Sequence, residues 1–423
     1  MTTTTLFDNV RVFDGLSDRL SNTTSVLVSG GVITAIGEIP VPAPGEVRTV
    51  IAGGGRTLMP GLIDAHVHLT MGIPLPVAVG QDPLYIGLVA GSIATETLMR
   101  GFTSVRDAGG PVFGIKNAID HGIVLGPRVW PSGALISQTS GHGDFRGQAD
   151  FPRGVCGHLS HFEQIGVAVI ADGVPEVLRG VREQLARGAS QIKVMAGGGV
   201  ASPNDPLDVT QYTESELRAA VEAAEDWGTY VLVHAYTPKS ITRAVGAGVK
   251  CVEHGQLADE AAVEAMAEND VWWSLQPFLA DEFATQHANP TNRAKQLRVA
   301  NGTDTAYELA RKHNVKVAWG TDALFDQRVI RLQGAQLARM TRWYTPAEVL
   351  QMATSVNGEL LQMSGERSPY PGRLGVVEAG ALADLLLVDG NPLENLDLVA
   401  DAETNFVVIM KAGVVYKNTL PSA

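Results

Sequence analysis

Apolar runs bounded by turn residues alternate with amphipathic stretches through the middle of this chain. Runs at 61–69, 103–107, 128–133, 191–196, 230–236, 251–254, 271–276 and 315–322 read as strands. Stretches at 174–187, 213–227, 260–268 and 303–313 carry a helical period between them. Thr213-Glu-Ser-Glu216 has the form of a capping box, with Thr213 at the N-cap and Glu216 reaching back. The strand runs are apolar throughout rather than alternating, as expected of strands buried on both faces. Strand–helix alternation of this length predicts an α/β fold, a (β/α)8 TIM-like barrel.

The ends follow a different pattern. Near the N-terminus, 6–13, 25–28 and 32–36 read as short strands, with Gly30-Gly31 as a hairpin turn. Near the C-terminus, 383–388, 406–410 and 414–416 read likewise. Two β-rich ends around a different middle predict that the termini pair into a smaller β-sandwich. The expected division is 1–58 and 371–423 for the two parts of the sandwich, and 59–370 for the barrel. Three connections after strands, 137–173, 197–212 and 277–302, are longer than a barrel needs. Barrel chemistry sits at the C-terminal strand ends, so these are candidate pocket walls.

Composition narrows the picture only a little. With 423 residues and 45% hydrophobic content the chain can bury a large core. A formal charge of −13 argues against nucleic acid or an anionic membrane surface as partner. No apolar run reaches the roughly 20 residues of a membrane span. Two cysteines, Cys156 and Cys251, imply no disulfide framework, and no secretory signal is visible, so the expected location is cytoplasmic.

The polar residues interrupting the strand runs carry the chemistry. His66 and His68 are two apart on one strand and so share a face, which puts two imidazoles at one spot. Lys193, His234, His254, Asp322 and Asp107 stand at or near the ends of five later strands. A histidine at a strand end is often a satisfied core residue. Four of them in order with a lysine and an aspartate, in strands that should be wholly apolar, point to a shared site. Asp107 reads as structural, held by Arg106 or a nearby lysine. His158 and His161 read as loop residues. Trp272-Trp273 reads as core.

These residues resemble the amidohydrolase superfamily, in the group related to imidazolonepropionase that includes metal-dependent Xaa-Pro dipeptidases (prolidases) and related carboxypeptidases. The resemblance rests on 60–68, Lys193 in Ile-Lys-Val-Met, His234, Glu253-His254-Gly255, Gly320-Thr-Asp322 and Leu374-Gly-Val-Val-Glu-Ala-Gly380, and it spans nearly the whole chain. It implies two divalent metal ions, zinc by default. His66, His68 and Asp322 would hold one ion, and His234 and His254 the other. Lys193 would bridge both as a carbamate formed with CO₂. The carbamate explains the lysine, because an ammonium cannot ligate whereas its carbamate is an anionic oxygen donor. The implied reaction is amide hydrolysis by a metal-bridging hydroxide, with Asp322 as general base. Tyr236, two residues beyond His234, and His142, in Ser140-Gly-His-Gly143, are the candidates to contact the scissile carbonyl. Arg146 and Arg328 are candidates to grip a substrate carboxylate.

The expected substrate is a dipeptide or N-acyl amino acid, with Xaa-Pro as the narrow choice. Arginine- or lysine-releasing carboxypeptidases and ochratoxin-type N-acyl-phenylalanine amidases are alternatives within the group; Asp205 and Asp208 keep cationic substrates open. From another class, a one-metal cyclic-amide hydrolase or deaminase would lack the bridging lysine. A scaffold without activity would not keep all six ligand positions. The family resemblance also implies a homo-oligomer.

Overall fold

The structure, a computed structural model, describes residues 3–39, 47–78, 80–147, 149–202, 204–285 and 287–421. Each of the eight predicted central runs carries a strand, and all of them pair in parallel. Leu62–Val67, Phe102–Asp107 and Arg128–Pro131 form one sheet in that order. A second sheet runs Ala168–Ile170, Leu135–Ser137, Ile192–Met195, Val231–Ala235, Cys251–His254, Trp272–Leu275, Val317–Trp319. Hydrogen bonds join the two sheets at two places. Ser190 N–H donates to Pro131 O (2.8 Å), and Asp322 N–H to His66 O (2.8 Å). Buried Asn357 donates to the carbonyls of both Ile63 (2.7 Å) and Trp319 (2.8 Å). Such strands bury both faces, which is why their sequences are apolar from end to end.

The two chain ends meet in a separate sheet of eight strands. Its order is Val414–Asn418, Phe406–Lys411, Leu385–Val388, Thr57–Pro60, Thr3–Val12, Thr24–Ser29, Val32–Ile36, with Val47–Ala52 beside Thr3–Val12 off this path. Gly30-Gly31 makes the expected hairpin turn, with both residues at positive φ. The strand Leu385–Val388 shows how this sheet attaches. Leu385 and Leu387 join the core formed by both ends, whereas Leu386 and Val388 join the core of the central helices and strands. Val47–Ala52 and Thr57–Pro60 are strands that the apolar pattern did not mark.

The predicted helices form at Val174–Ala186, Glu214–Glu225 and Glu260–Glu268, and Glu216 accepts from Thr213 N–H (2.8 Å) as the capping box requires. Two boundaries are corrected, the first being that Ala168–Ile170, inside the connection expected over 137–173, is a strand pairing with Leu135–Ser137. The connection after Trp272–Leu275 is irregular only to Asn289, because a helix runs Pro290–Lys312 and takes in residues expected to be loop. Asn289 caps it, accepting from Thr291 and Asn292 N–H. Gly302, expected to end that connection, is helical. A Cβ there would lie 2.0 Å from Gln256 O, so close packing rather than a bend accounts for the glycine. Cys251 is buried and free, and the side chain of Cys156 lies outside the described residues. Among the described residues no helix is long and apolar enough to cross a membrane.

Candidate metal-binding active site

The six proposed ligand positions converge at the C-terminal ends of five central strands. His66, His68, Lys193, His234, His254 and Asp322 all line one cavity that opens to solvent. The imidazole rings are close: centroids lie 5.2 Å apart for His66–His68, 5.0 Å for His66–His254 and 4.6 Å for His234–His254. Asp322 Oδ1 is 3.3 Å from His66 Nε2 and 3.2 Å from His68 Nε2. His254 and Asp322 both hold a left-handed backbone (φ 71° and 48°), an unfavourable conformation for residues with a Cβ.

Each histidine has one nitrogen fixed from behind. His66 Nδ1 meets Glu253 Oε2 (2.6 Å), His68 Nδ1 meets Gly109 O (2.8 Å), and His254 Nδ1 meets Gln276 Oε1 (2.8 Å). His234 Nε2 meets Gly198 O (3.2 Å). Outer partners of this kind select the tautomer and aim the other nitrogen inward. Among the described residues His66 Nε2 is buried without a hydrogen-bond partner, and the donor atoms of His66, His254 and Asp322 lie within 4.8 Å of one another. An orphaned, inward-facing imidazole nitrogen beside a carboxylate fits a cation such as zinc.

Lys193 is 1% exposed and makes no hydrogen bond among the described residues. Burial lowers its pKa to about 8, with Glu253 and Asp322 pulling the other way. A neutral amine is the form that adds CO₂, so this burial suits the expected carbamate. Burial alone would raise the Asp322 carboxyl, but His66, His68 and His254 outweigh it and hold it well below the usual carboxylate range. Burial pushes the Tyr236 phenol well above its ordinary value, so it keeps its proton throughout neutral pH.

Other predicted residues divide. Tyr236 and His142 line the same cavity; their rings lie 5.0 Å and 4.2 Å from that of His234, and His142 stacks on it. Arg146 and Arg328 are not brought to the cavity wall. Arg146 forks onto Asp144 (2.8 and 2.6 Å), and Arg328 donates to Glu282 O, Ala284 O and Asp326. His158 and His161 also lie off the wall. Asp107 accepts from Leu69 N–H (2.8 Å) and Gly109 N–H (3.1 Å), so main-chain amides hold it and Arg106 does not. Trp273 is core, and its indole N–H donates to His254 O (2.6 Å).

Sequence reasoning missed the wall of the cavity: Phe145, Phe278, Phe283, Phe325, His287 and Arg339. The predicted long connections supply most of these, but which of their side chains face inward had no signal in the pattern. It also missed Gly199, whose Cβ would lie 2.1 Å from the His142 ring. Gly199→Ala is expected to displace that ring and lower kcat about 10–100-fold. The thermal midpoint should move little; unchanged kcat would show that the His142 position is irrelevant to turnover.

The sequence profile of the Amidohydrolase family matches residues 57–418. The chain belongs to this family. Ochratoxinase of Aspergillus niger is 32% identical to it over 416 residues, covering 93% of this chain and 82% of that enzyme. Among solved structures, a prolidase complexed with N-methylphosphonate-L-proline is 36% identical, with a TM-score of 0.89 over 98% of this chain and 100% of its own. A Xaa-Pro dipeptidase with methionine in its active site is 28% identical, with a TM-score of 0.84 over 98% and 100%. This amidohydrolase is therefore a hydrolase acting on amide or peptide C–N bonds.

Proposed function

We propose that this amidohydrolase cleaves the amide bond of dipeptides and N-acyl amino acids, Xaa-Pro among them, at a two-metal centre. The observation that carries the reading is Lys193, a buried amine among the four histidines and Asp322. His66, His68 and Asp322 would hold one ion, His234 and His254 the other, with carbamylated Lys193 common to both. When bound, the ions activate water at neutral pH and polarise the scissile carbonyl. Asp322 takes the proton from the attacking water on a carboxylate oxygen and passes it to the leaving nitrogen. Tyr236 donates its O–H to the substrate, and His142, whose Nδ1 is occupied, offers Nε2. Phe145, Phe278, Phe283 and Phe325 keep water from the acyl and side-chain ends of the substrate.

The same reading takes the two parallel sheets as arcs of one closed barrel, 59–370. It takes 1–58 and 371–423 as the two halves of a β-sandwich. Zinc is the expected metal; the cytoplasm and a homo-oligomer are the expected setting.

A second substrate reading has its own support. Four phenylalanines around the cavity favour an aromatic amide, and the relative named ochratoxinase gives that choice a parallel. Asp205 is buried behind His142, and among the described lining residues Asp322 is the one carboxylate, so nothing in the wall calls for a cationic side chain. Amino-acid release should be measured from Xaa-Pro, Xaa-Phe, Xaa-Arg and Xaa-Lys dipeptides and their N-acyl analogues, using zinc-loaded protein with bicarbonate. Proline release supports the narrow choice, and phenylalanine release alone selects the aromatic one. Absence of release from every member, with two metals bound, overturns the amide reading. Chelation should abolish turnover, and added Zn²⁺, Mn²⁺ or Co²⁺ should restore it; activity surviving metal removal, with metal content measured, would exclude a metal-dependent reaction.

A further inference from the structure

Behind His142 lies a polar assembly that the proposed reaction does not use. Asp205 is 1% exposed, and its Oδ2 accepts from His142 Nδ1 (3.0 Å) and from Gly199 N–H (2.6 Å). Its Oδ1 is buried without a hydrogen-bond partner among the described residues. Ser202 Oγ accepts from Gly143 N–H (3.1 Å) and stands 2.9 Å from the same Nδ1. The loop carrying Gly199, Ser202 and Asp205 is held in turn by one ammonium. Lys295 Nζ donates to the carbonyls of Gly199 (3.0 Å), Ser202 (3.2 Å) and Asp205 (2.7 Å). Lys295 sits on the helix Pro290–Lys312, whose Gln296, Val299 and Ala300 line the cavity.

A carboxylate that already accepts from an amide offers only acceptor capacity to a ring 3.0 Å away. His142 Nδ1 therefore carries its proton toward Asp205, and Nε2 is the nitrogen left for substrate. The ring is fixed on three sides: by Asp205, by the bare Cα of Gly199, and by stacking on His234 at 4.2 Å. Nothing local to His142 in sequence provides this, since Asp205 is 63 residues away.

We propose that Asp205 is a positioning residue that sets the orientation of His142, and that Lys295 holds the loop that places Asp205. This rests on the reading above, in which His142 contacts substrate. Asp205→Ala is expected to lower kcat about 10–100-fold with little change in KM, in line with losses on removing outer partners of site histidines. Asp205→Asn can place its oxygen where Oδ2 stands and should recover part of that loss. Lys295→Met should shift kcat in the same direction by less.

The deciding experiment is a double-mutant cycle on the best substrate of the panel, with thermal midpoints recorded for each variant. In a His142→Gln background, Asp205→Ala and Lys295→Met should each change kcat less than twofold. Losses equal in both backgrounds, or no loss from Asp205→Ala in the parent, overturn the inference while the amide-hydrolase reading stands. If His142→Gln alone leaves turnover intact, the assigned role of His142 fails, and this inference with it. Should Asp205→Ala not fold, the Lys295→Met cycle decides on the same criterion.

Discussion

Lys193→Ala is expected to reduce turnover by on the order of 10³-fold or more, equivalent to about 4 kcal/mol of transition-state stabilisation. Lys193 stands 1% exposed in a strand otherwise made of Ile192, Val194 and Met195, all buried. A buried ammonium without a hydrogen bond carries a desolvation cost that an apolar residue would avoid, so its retention calls for a chemical reason. A carbamate supplies one, because it turns the side chain into an anionic oxygen donor between two pairs of histidines. Truncation should therefore lower metal content below two ions per chain while the fold persists. A short carboxylate such as acetate, added at high concentration, can enter the space vacated and supply the missing oxygens. Partial recovery of turnover by acetate, but not by chloride at equal ionic strength, is the expected signature. If Lys193→Ala keeps its activity with about one metal per chain, the two-metal assignment gives way to a one-metal cyclic-amide hydrolase or deaminase.

The residues around Lys193 also show what a chain can reveal before it is folded. Strands buried on both faces must be apolar, so each histidine, lysine or aspartate in such a run stands out, and its order along the chain gives its place in the site. His66, His68, His234, His254 and Asp322 were visible for that reason. Their partners were not. Arg106 looked like the counter-ion of Asp107 because the two are adjacent. Adjacent residues on a strand point to opposite faces, however, and Arg106 reaches Glu253 while Asp107 binds main-chain amides. Asp205 belongs to a loop whose path no periodicity encodes, so its approach to His142 could not be read. Arg146 and Arg328 had the right chemistry for a carboxylate. Asp144 lies two residues from the first and Asp326 two residues from the second, and local pairing takes up both.

Replacing Glu253 by alanine should be the most destabilising single change near the site, costing about 3–5 kcal/mol as expected for breaking a buried ion pair. Glu253 and Arg106 are both fully buried and meet at 2.7 Å. The other carboxylate oxygen meets His66 Nδ1 at 2.6 Å, and Cys251 Sγ–H donates to the first at 2.9 Å. Burial alone would raise the Glu253 carboxyl, but Arg106 and His66 reverse this and keep it well below the ordinary range, ionised at neutral pH. Without Glu253, the guanidinium keeps Ala65 O and the Tyr230 hydroxyl as partners but loses its neutralising charge. His66 loses the acceptor that fixes its tautomer, so metal affinity should fall about 10–100-fold as well. Glu253→Gln preserves shape but has one acceptor oxygen for three donors, and should recover only part of either loss. The urea midpoint and a zinc titration measure the two effects separately. Removing the exposed Arg373–Glu378 pair, also 2.6 Å long, is the control and should leave both in place. An unchanged midpoint in Glu253→Ala would mean that Arg106 finds another counter-charge, and that the fold does not depend on the anion behind His66.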